Sequence, residues 1–191
     1  MIFIGYYGIG KTTFCLTNNL LNTQRKFIDL NANYMTSDNP NIPYDPETLL
    51  DFYARTVLEL ANQKFHIFVP LEKPIIDKFI DRVKYMEINL IGKYETHIIL
   101  PDISMIDKWK EHLTEIYLKD ISEYNHISLF NTAKCYDKIM DYVNIVEKEN
   151  NIHVYRFTLD KDIHTTINER IFTYIRYQID KGEDKPCLMT L

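Results

Sequence analysis

Apolar and polar residues follow two different periods along this chain, and the switches between them mark out its elements. MIFI (1–4) is short, continuous and apolar, as a strand buried on both faces must be. Helical spacing takes over inside GKTT and runs from 11 to 22, and KFIDL (26–30) predicts a second short strand. NANYMTSDNPNIPYDP (31–46) carries three of the seven prolines among Asn and Asp, and predicts a loop. Asp45 and Pro46 then supply a helix cap and a first-turn proline, ahead of Leu49, Leu50, Tyr53, Val57, Leu60 and Ala61 at helical spacing.

KFHIFVPL (64–71) predicts a third strand ended by Pro70, and Pro74 opens a helix with Ile75, Ile76, Phe79, Ile80, Val83 and Met86 on one stripe. THIIL (96–100) predicts a fourth strand halted by Pro101. Ser104 with Asp107 reads as a capping pair for a helix carrying Trp109, Leu113, Ile116 and Tyr117. A further helix spans 134–149 through Cys135, Ile139, Tyr142, Val143 and Val146, and IHVYRFTL (152–159) predicts a fifth strand. Thr166 and Glu169 read as a capping box for a last helix through Ile167, Ile171, Tyr174, Ile175 and Ile179.

Strands that alternate with helices indicate a parallel sheet covered on both faces, a three-layer α/β/α architecture with five mainly parallel strands. A length of 191 residues fits one domain, and no repeat, low-complexity run or composition break divides it. The stretch from about 105 to 150 is nearly all helical and longer than one crossover requires, so a lid or insertion is expected there.

Composition narrows the function classes. Apolar residues make up 46% of the chain, which excludes a disordered protein. A net charge of −5 leaves no basic surplus for gripping nucleic acid, although a local basic patch remains compatible with it. Cys15, Cys135 and Cys187 are scattered and odd in number, the usage of reduced thiols in a cytosol. The first strand runs into glycines without a basic leader, and no apolar run approaches the ~20 residues of a membrane span. A cytoplasmic protein is expected, with oligomeric state left open. The histidines show neither H-E-x-x-H nor H-x-x-E-H spacing, so they suggest no metal site.

The strongest chemical signal is Gly5-Tyr6-Tyr7-Gly8-Ile9-Gly10-Lys11-Thr12, which meets G-x-x-x-x-G-K-[ST] at every fixed position. Three of the five glycines fall within these six residues, 5 to 10, so the clustering is not a by-product of a glycine-rich composition. Glycines let successive backbone N–H groups point into one concavity, and the helix that follows presents its positive end to the same anion. In that arrangement the backbone of Gly8, Ile9, Gly10, Lys11, Thr12 and Thr13 holds a triphosphate. Lys11 reaches its β- and γ-phosphates, and the Thr12 hydroxyl joins a magnesium shell.

With this motif between a strand and a helix, the chain resembles the P-loop NTPase superfamily. Its compact build looks most like the small nucleoside and nucleotide kinases. HIILPDISMIDKWKEHL (97–113) is also similar to a strand–proline–helix segment of small kinase-like proteins from phages and low-GC bacteria. The resemblance implies a strand order of 2-3-1-4-5, with ATP and Mg2+ over the loop and an acceptor under a mobile cover. If the chain is phage-encoded, its compartment is the host cytoplasm. No N-K-x-D and no D-x-x-G after a strand is present, which argues against a GTPase. Adjacent acids at a strand end, as in AAA and RecA-type motors, are also missing.

Other candidates are single residues. Asp29 closes the second strand, where small P-loop kinases place an acid that faces the acceptor; a solvated cap of the following loop is the plainer reading. Asn31 and Asn33 are possible helpers. The third strand departs from the family pattern, because HIFVPLE ends in Pro70, Leu71 and Glu72 where a magnesium-supporting Asp belongs. Asp102, after IILP, is the other strand-end carboxylate and a second candidate for the metal. The six arginines leave 105–150 empty, and Arg82 is the best acceptor-side cation, against a plainer reading as a solvated helix residue. Tyr34, Tyr44 and Tyr53 could sandwich an acceptor ring, though core or surface filling is the plainer reading of them, and Cys15 reads as packed.

The expected activity is transfer of the ATP γ-phosphoryl group to a small acceptor, with a nucleoside or nucleotide implied by the resemblance. Two alternatives stay open: an ATP-binding regulatory or host-interaction module without transferase activity, and a polynucleotide 5′-kinase.

Overall fold

The computed structural model describes residues 1–6, 8–21, 26–30, 45–71, 95–117, 136–148, 152–158 and 162–183. Five strands form one sheet in the order β2-β3-β1-β4-β5. They are β1 (Ile2–Gly5), β2 (Phe27–Asp29), β3 (His66–Pro70), β4 (Thr96–Pro101) and β5 (Ile152–Phe157). Every neighbouring pair is parallel. The expected class and strand order therefore hold. β1 and β4 are buried at every position, as continuous apolar runs require when both faces of a sheet are covered.

Two parallel strands need a crossover, and right-handed crossovers decide which face each helix covers. From β1 the chain crosses to the far edge through α1 (Lys11–Leu21), then returns through α2 (Pro46–Asn62) to β3. The opposite directions of travel put α1 and α2 on opposite faces. Phe14 of α1 packs on Phe27 at 5.6 Å and Phe68 at 5.3 Å, and on Phe172 of α6 (Phe172–Glu183) at 5.1 Å. α1 and α6 thus share one face. Arg156, which alternates with Tyr155 along β5, binds Asn144 and Glu147 at the end of α4 (Tyr136–Val146), so α4 lies on the other. Three layers result, and one apolar cluster joins the strands to the helices that cover them.

Asp45 caps α2 by accepting from Thr48 N at 2.9 Å, with Pro46 in the first turn, as the sequence suggested. The other two expected caps are corrected. After β4 the capping residue is Asp102, whose Oδ1 accepts from both the N–H and the hydroxyl of Ser104, at 3.0 and 2.7 Å. A single 3-10 turn (Ile103–Met105) then leads into α3 (Ile106–Tyr117). Asp107 pairs with Lys110 instead. At the last helix Asp162 is the cap, accepting from Thr165 N at 2.9 Å, and the helix starts three residues before Thr166 as the short α5 (Ile163–Thr165). Thr166 is buried inside a π-helical turn (Thr166–Ile171) that leads into α6. In both cases an aspartate upstream outcompeted the Ser or Thr, because its carboxylate makes charge-assisted bonds to the first backbone donors.

In the stretch 105–150, where a lid or insertion is expected, the described residues form α3 and α4; residues 118–135 lie outside the described set, as does the helix expected from Pro74. Among the described residues, no helix is long and apolar enough to cross a membrane.

Candidate functional site

β1 lies where the strand order reverses: β2 and β3 are added on one side of it, β4 and β5 on the other. In open α/β sheets the crevice beyond the strand carboxyl ends at this point is where ligands bind. Gly5 ends β1 here, and α1 begins at Lys11. The intervening turn passes through the left-handed region twice, at Gly8 (φ 78°) and Gly10 (φ 80°). A side chain at either position would cost about 1–2 kcal/mol in backbone strain alone. Space is tight as well. A Cβ on Gly8 would stand 2.7 Å from Leu113 Cδ2, and one on Gly10 would stand 3.0 Å from Phe172 Cζ. α3 and the segment leading into α6 therefore flank the loop.

Lys11 is half-buried and folds back along the turn, with Nζ donating to Gly5 O at 3.1 Å and Tyr6 O at 3.2 Å. The sheet holds both residues, since Gly5 O accepts from Leu71 N and the Tyr6 N–H donates to Ile99 O. Ile9 is buried and Thr12 and Thr13 are exposed, so the turn has a packed underside and a solvent-facing mouth at the start of α1.

The central contact joins two residues far apart in sequence. Thr12 Oγ1 donates to Asp29 Oδ2 at 2.5 Å, and Asp29 is only 3% exposed. At the other end of α1, the Asn19 amide donates to Phe27 O at 2.8 Å and accepts from Phe27 N at 2.9 Å. α1 runs antiparallel to β2 and is pinned to it at both ends. Nothing in the sequence flagged Asn19, because an Asn on the exposed side of an amphipathic helix has no distinctive pattern.

Asp102, the other strand-end acid, is engaged differently. Ser104 holds its carboxyl below the usual range through two hydrogen bonds, with Arg156 assisting from β5, and its own N–H donates to Phe157 O. It faces the β4–β5 side, whereas Thr12 is joined to the β2 side. β3 ends in buried Val69, Pro70 and Leu71, with no carboxylate. Cys15, next on α1, is buried, and burial together with the Asp29 charge pushes its thiol far up, so it is neutral and inert.

α3 contributes residues that sequence reasoning treated only as core. Trp109 is fully buried, its Cζ2 3.6 Å from the Cβ position of Gly8, and His112 Cδ2 lies 3.7 Å from the same point. Burial lowers the His112 pKa first, His164 lowers it further, and Glu115 opposes both. His112 was overlooked because a lone histidine on an apolar stripe looks like any other core residue.

Tyr7, Arg82, Glu72, Asn31, Asn33, Tyr34, Tyr44, Cys135 and Cys187 lie outside the described residues, as does the side chain of Tyr53. Among those described, no group of three or more His, Cys, Asp or Glu side chains could hold a metal ion. No protein-family model matches the chain, and no curated protein matches it.

Proposed function

We propose that the chain is a P-loop phosphotransferase. It binds ATP with Mg2+ on the turn 5–13 and passes the γ-phosphoryl group to a small acceptor, with a nucleoside or nucleotide as the leading class. The observation that carries this reading is the Thr12–Asp29 hydrogen bond at 2.5 Å, beside Lys11 and two left-handed glycines at the switch point of the sheet. A hydroxyl and a buried carboxylate side by side are hard oxygen donors, the kind magnesium takes one or two of while keeping water and phosphate oxygens for the rest. Asp29 on β2 then supplies the acid that β3 lacks.

Each residue has a physical task in this scheme. Backbone N–H groups at the start of α1, which have no acceptor within the helix, face the phosphates along with the helix dipole. Lys11 exchanges the Gly5 and Tyr6 carbonyls for phosphate oxygens, a swing of one flexible side chain. Thr12 and Asp29 would hold the magnesium ion, which neutralises charge on the β- and γ-oxygens when bound. Catalysis on this plan is positioning and charge neutralisation, with little covalent work for the protein.

The buried apolar end of β3 favours a second reading, an ATP-binding module without transfer activity. Two assays separate the readings. ATP turnover is screened against nucleosides, nucleotides and DNA 5′ ends, with Lys11→Ala as control; transfer above that control supports the kinase, and its absence leaves the binding module. A thermal-shift titration with ATP and Mg2+ tests binding itself, because ligand at a hundred times its Kd adds about 2.7 kcal/mol of apparent stability. A wild-type curve that does not move removes both readings.

A further inference from the structure

His112 is 4% exposed, and its Nε2 has no hydrogen-bond partner among the described residues. Leaving such a nitrogen unsatisfied costs about 1–3 kcal/mol, so its position calls for a reason. The ring is held by Trp109 at 5.1 Å between centroids and by His164, edge-on, at 5.8 Å. The glycine turn also lies against it: Cδ2, the ring carbon bonded to Nε2, lies 3.7 Å from the Cβ position of Gly8. This contact sets the imidazole edge against the turn, three residues before α1 begins.

We propose that His112 Nε2 donates a hydrogen bond to a phosphate oxygen of the triphosphate held on this turn, and that binding draws a proton onto the ring. The inference rests on the triphosphate reading above and deepens it, for it assigns to α3 a cation in a region whose sequence holds no arginine. Burial keeps the imidazole neutral in the absence of ligand. A phosphate oxygen beside it reverses the balance, since an opposite charge within about 4–6 Å favours the charged form. The proton comes from solvent and stays on the ring; no covalent bond changes. The groups that act on His112 are His164, from α5, and Glu115, from α3 itself. The stretch of turn packed on its other side, Gly8 to Gly10, carries no titratable side chain.

The test uses the whole chain with two probes, sodium tripolyphosphate and ATP with Mg2+. Trp109, the single tryptophan, reports binding from beside the site. Loss of a charged hydrogen bond predicts about ten- to a hundredfold weaker binding of both probes by His112→Gln. Calorimetry in buffers of different ionisation enthalpy should show net proton uptake by wild type near pH 7, and less by the variant. If His112→Gln fails to fold, proton uptake by wild type decides alone: uptake supports the proposal and its absence overturns it. Weakened ATP binding with unchanged tripolyphosphate binding puts His112 on the base or ribose, and overturns it too. Binding that is lost in Lys11→Ala but unchanged in His112→Gln removes the role of His112 and leaves the triphosphate reading standing. Failure of wild type to bind either probe overturns both.

Discussion

Asp29→Asn separates two roles that one carboxylate could play. Asn has the same size and keeps an oxygen where Oδ2 now accepts from Thr12, so the hydrogen bond of 2.5 Å becomes a neutral one. Bonds to charged groups are worth about 1 kcal/mol more than neutral ones, which sets the expected loss of stability at roughly that figure. Ligand binding should change much more, and with a sign that depends on the metal. With Mg2+ present, removal of one anionic oxygen contact weakens ATP binding by about 1.5–3 kcal/mol, or ten- to a hundredfold. With the metal chelated, the same carboxylate only repels the polyphosphate, so Asp29→Asn should bind ATP equally well or more tightly. The assay is a pair of ATP titrations, with excess Mg2+ and with chelator, on wild type and variant. Equal weakening in both conditions would falsify the metal assignment, because it would report general damage to the turn. Unchanged binding in both, with phosphorylation of acceptor reduced, would move Asp29 to the acceptor side as base or orienter.

Gly10→Ala should destabilise the chain by about 2–3 kcal/mol, from left-handed strain and overpacking against Phe172; a urea midpoint within error of wild type contradicts the packing described. Phe14→Ala should cost about 3–5 kcal/mol in chemical denaturation, as its ring is fully buried among Phe27, Phe68 and Phe172. Asn19→Ala should cost about 1–2 kcal/mol through its two bonds to Phe27 and weaken ATP binding as α1 loosens over β2; a stability loss without any change in affinity shows that the clamp does not position the turn. His97, fully buried between Phe3 and His153 with Nδ1 on Tyr174, has its pKa lowered to about 3 by burial, with His153, the N-terminal amine and Lys181 adding to it. The unfolded chain takes up this proton first, so stability should fall with decreasing pH between about 6.5 and 3, by at most about 1.4 kcal/mol per unit. Denaturation midpoints for wild type and His97→Asn across that range check this, and identical slopes count against it.

The parts of this molecule that could be read from its sequence are those where local chemistry and fold agree. Short apolar-rich runs between helical segments located all five strands, and Asp45 with Pro46 located the start of α2, because a cap and a fixed φ act within four residues. The misread caps at Ser104 and Thr166 show the limit of that reasoning. Asp102 and Asp162 each lay two to four residues upstream, and a charged acceptor outcompetes a hydroxyl when both are in reach. Lys11, Thr12 and Asp29 could each be singled out by type and place. What could not be read was that Thr12 and Asp29 touch, since that depends on α1 crossing the sheet to β2. His112 was invisible for a related reason. Its significance comes from Gly8, about a hundred residues away in sequence, and a histidine at helical spacing on an apolar stripe looks the same whether or not a glycine turn lies against it.

On the proposed reading, the Thr12–Asp29 contact also supplies the acid that β3 lacks. Phe68, Val69, Pro70 and Leu71 are all buried, so the end of that strand belongs to the core. β2 lies one strand further out, too far from β1 for a carboxylate to reach the turn along the sheet. α1 closes that gap from above. It leaves the turn, passes over β3 with Phe14 packed on Phe68, and delivers its first hydroxyl to the end of β2. Because Asn19 holds the opposite end of the helix to Phe27, the spacing of Thr12 and Asp29 is set by the fold and not by a ligand. A site organised in this way loses little entropy when an ion arrives. It follows that Asp29 has little freedom to swing toward an acceptor, and the metal-side role becomes the one that the packing of α1 favours.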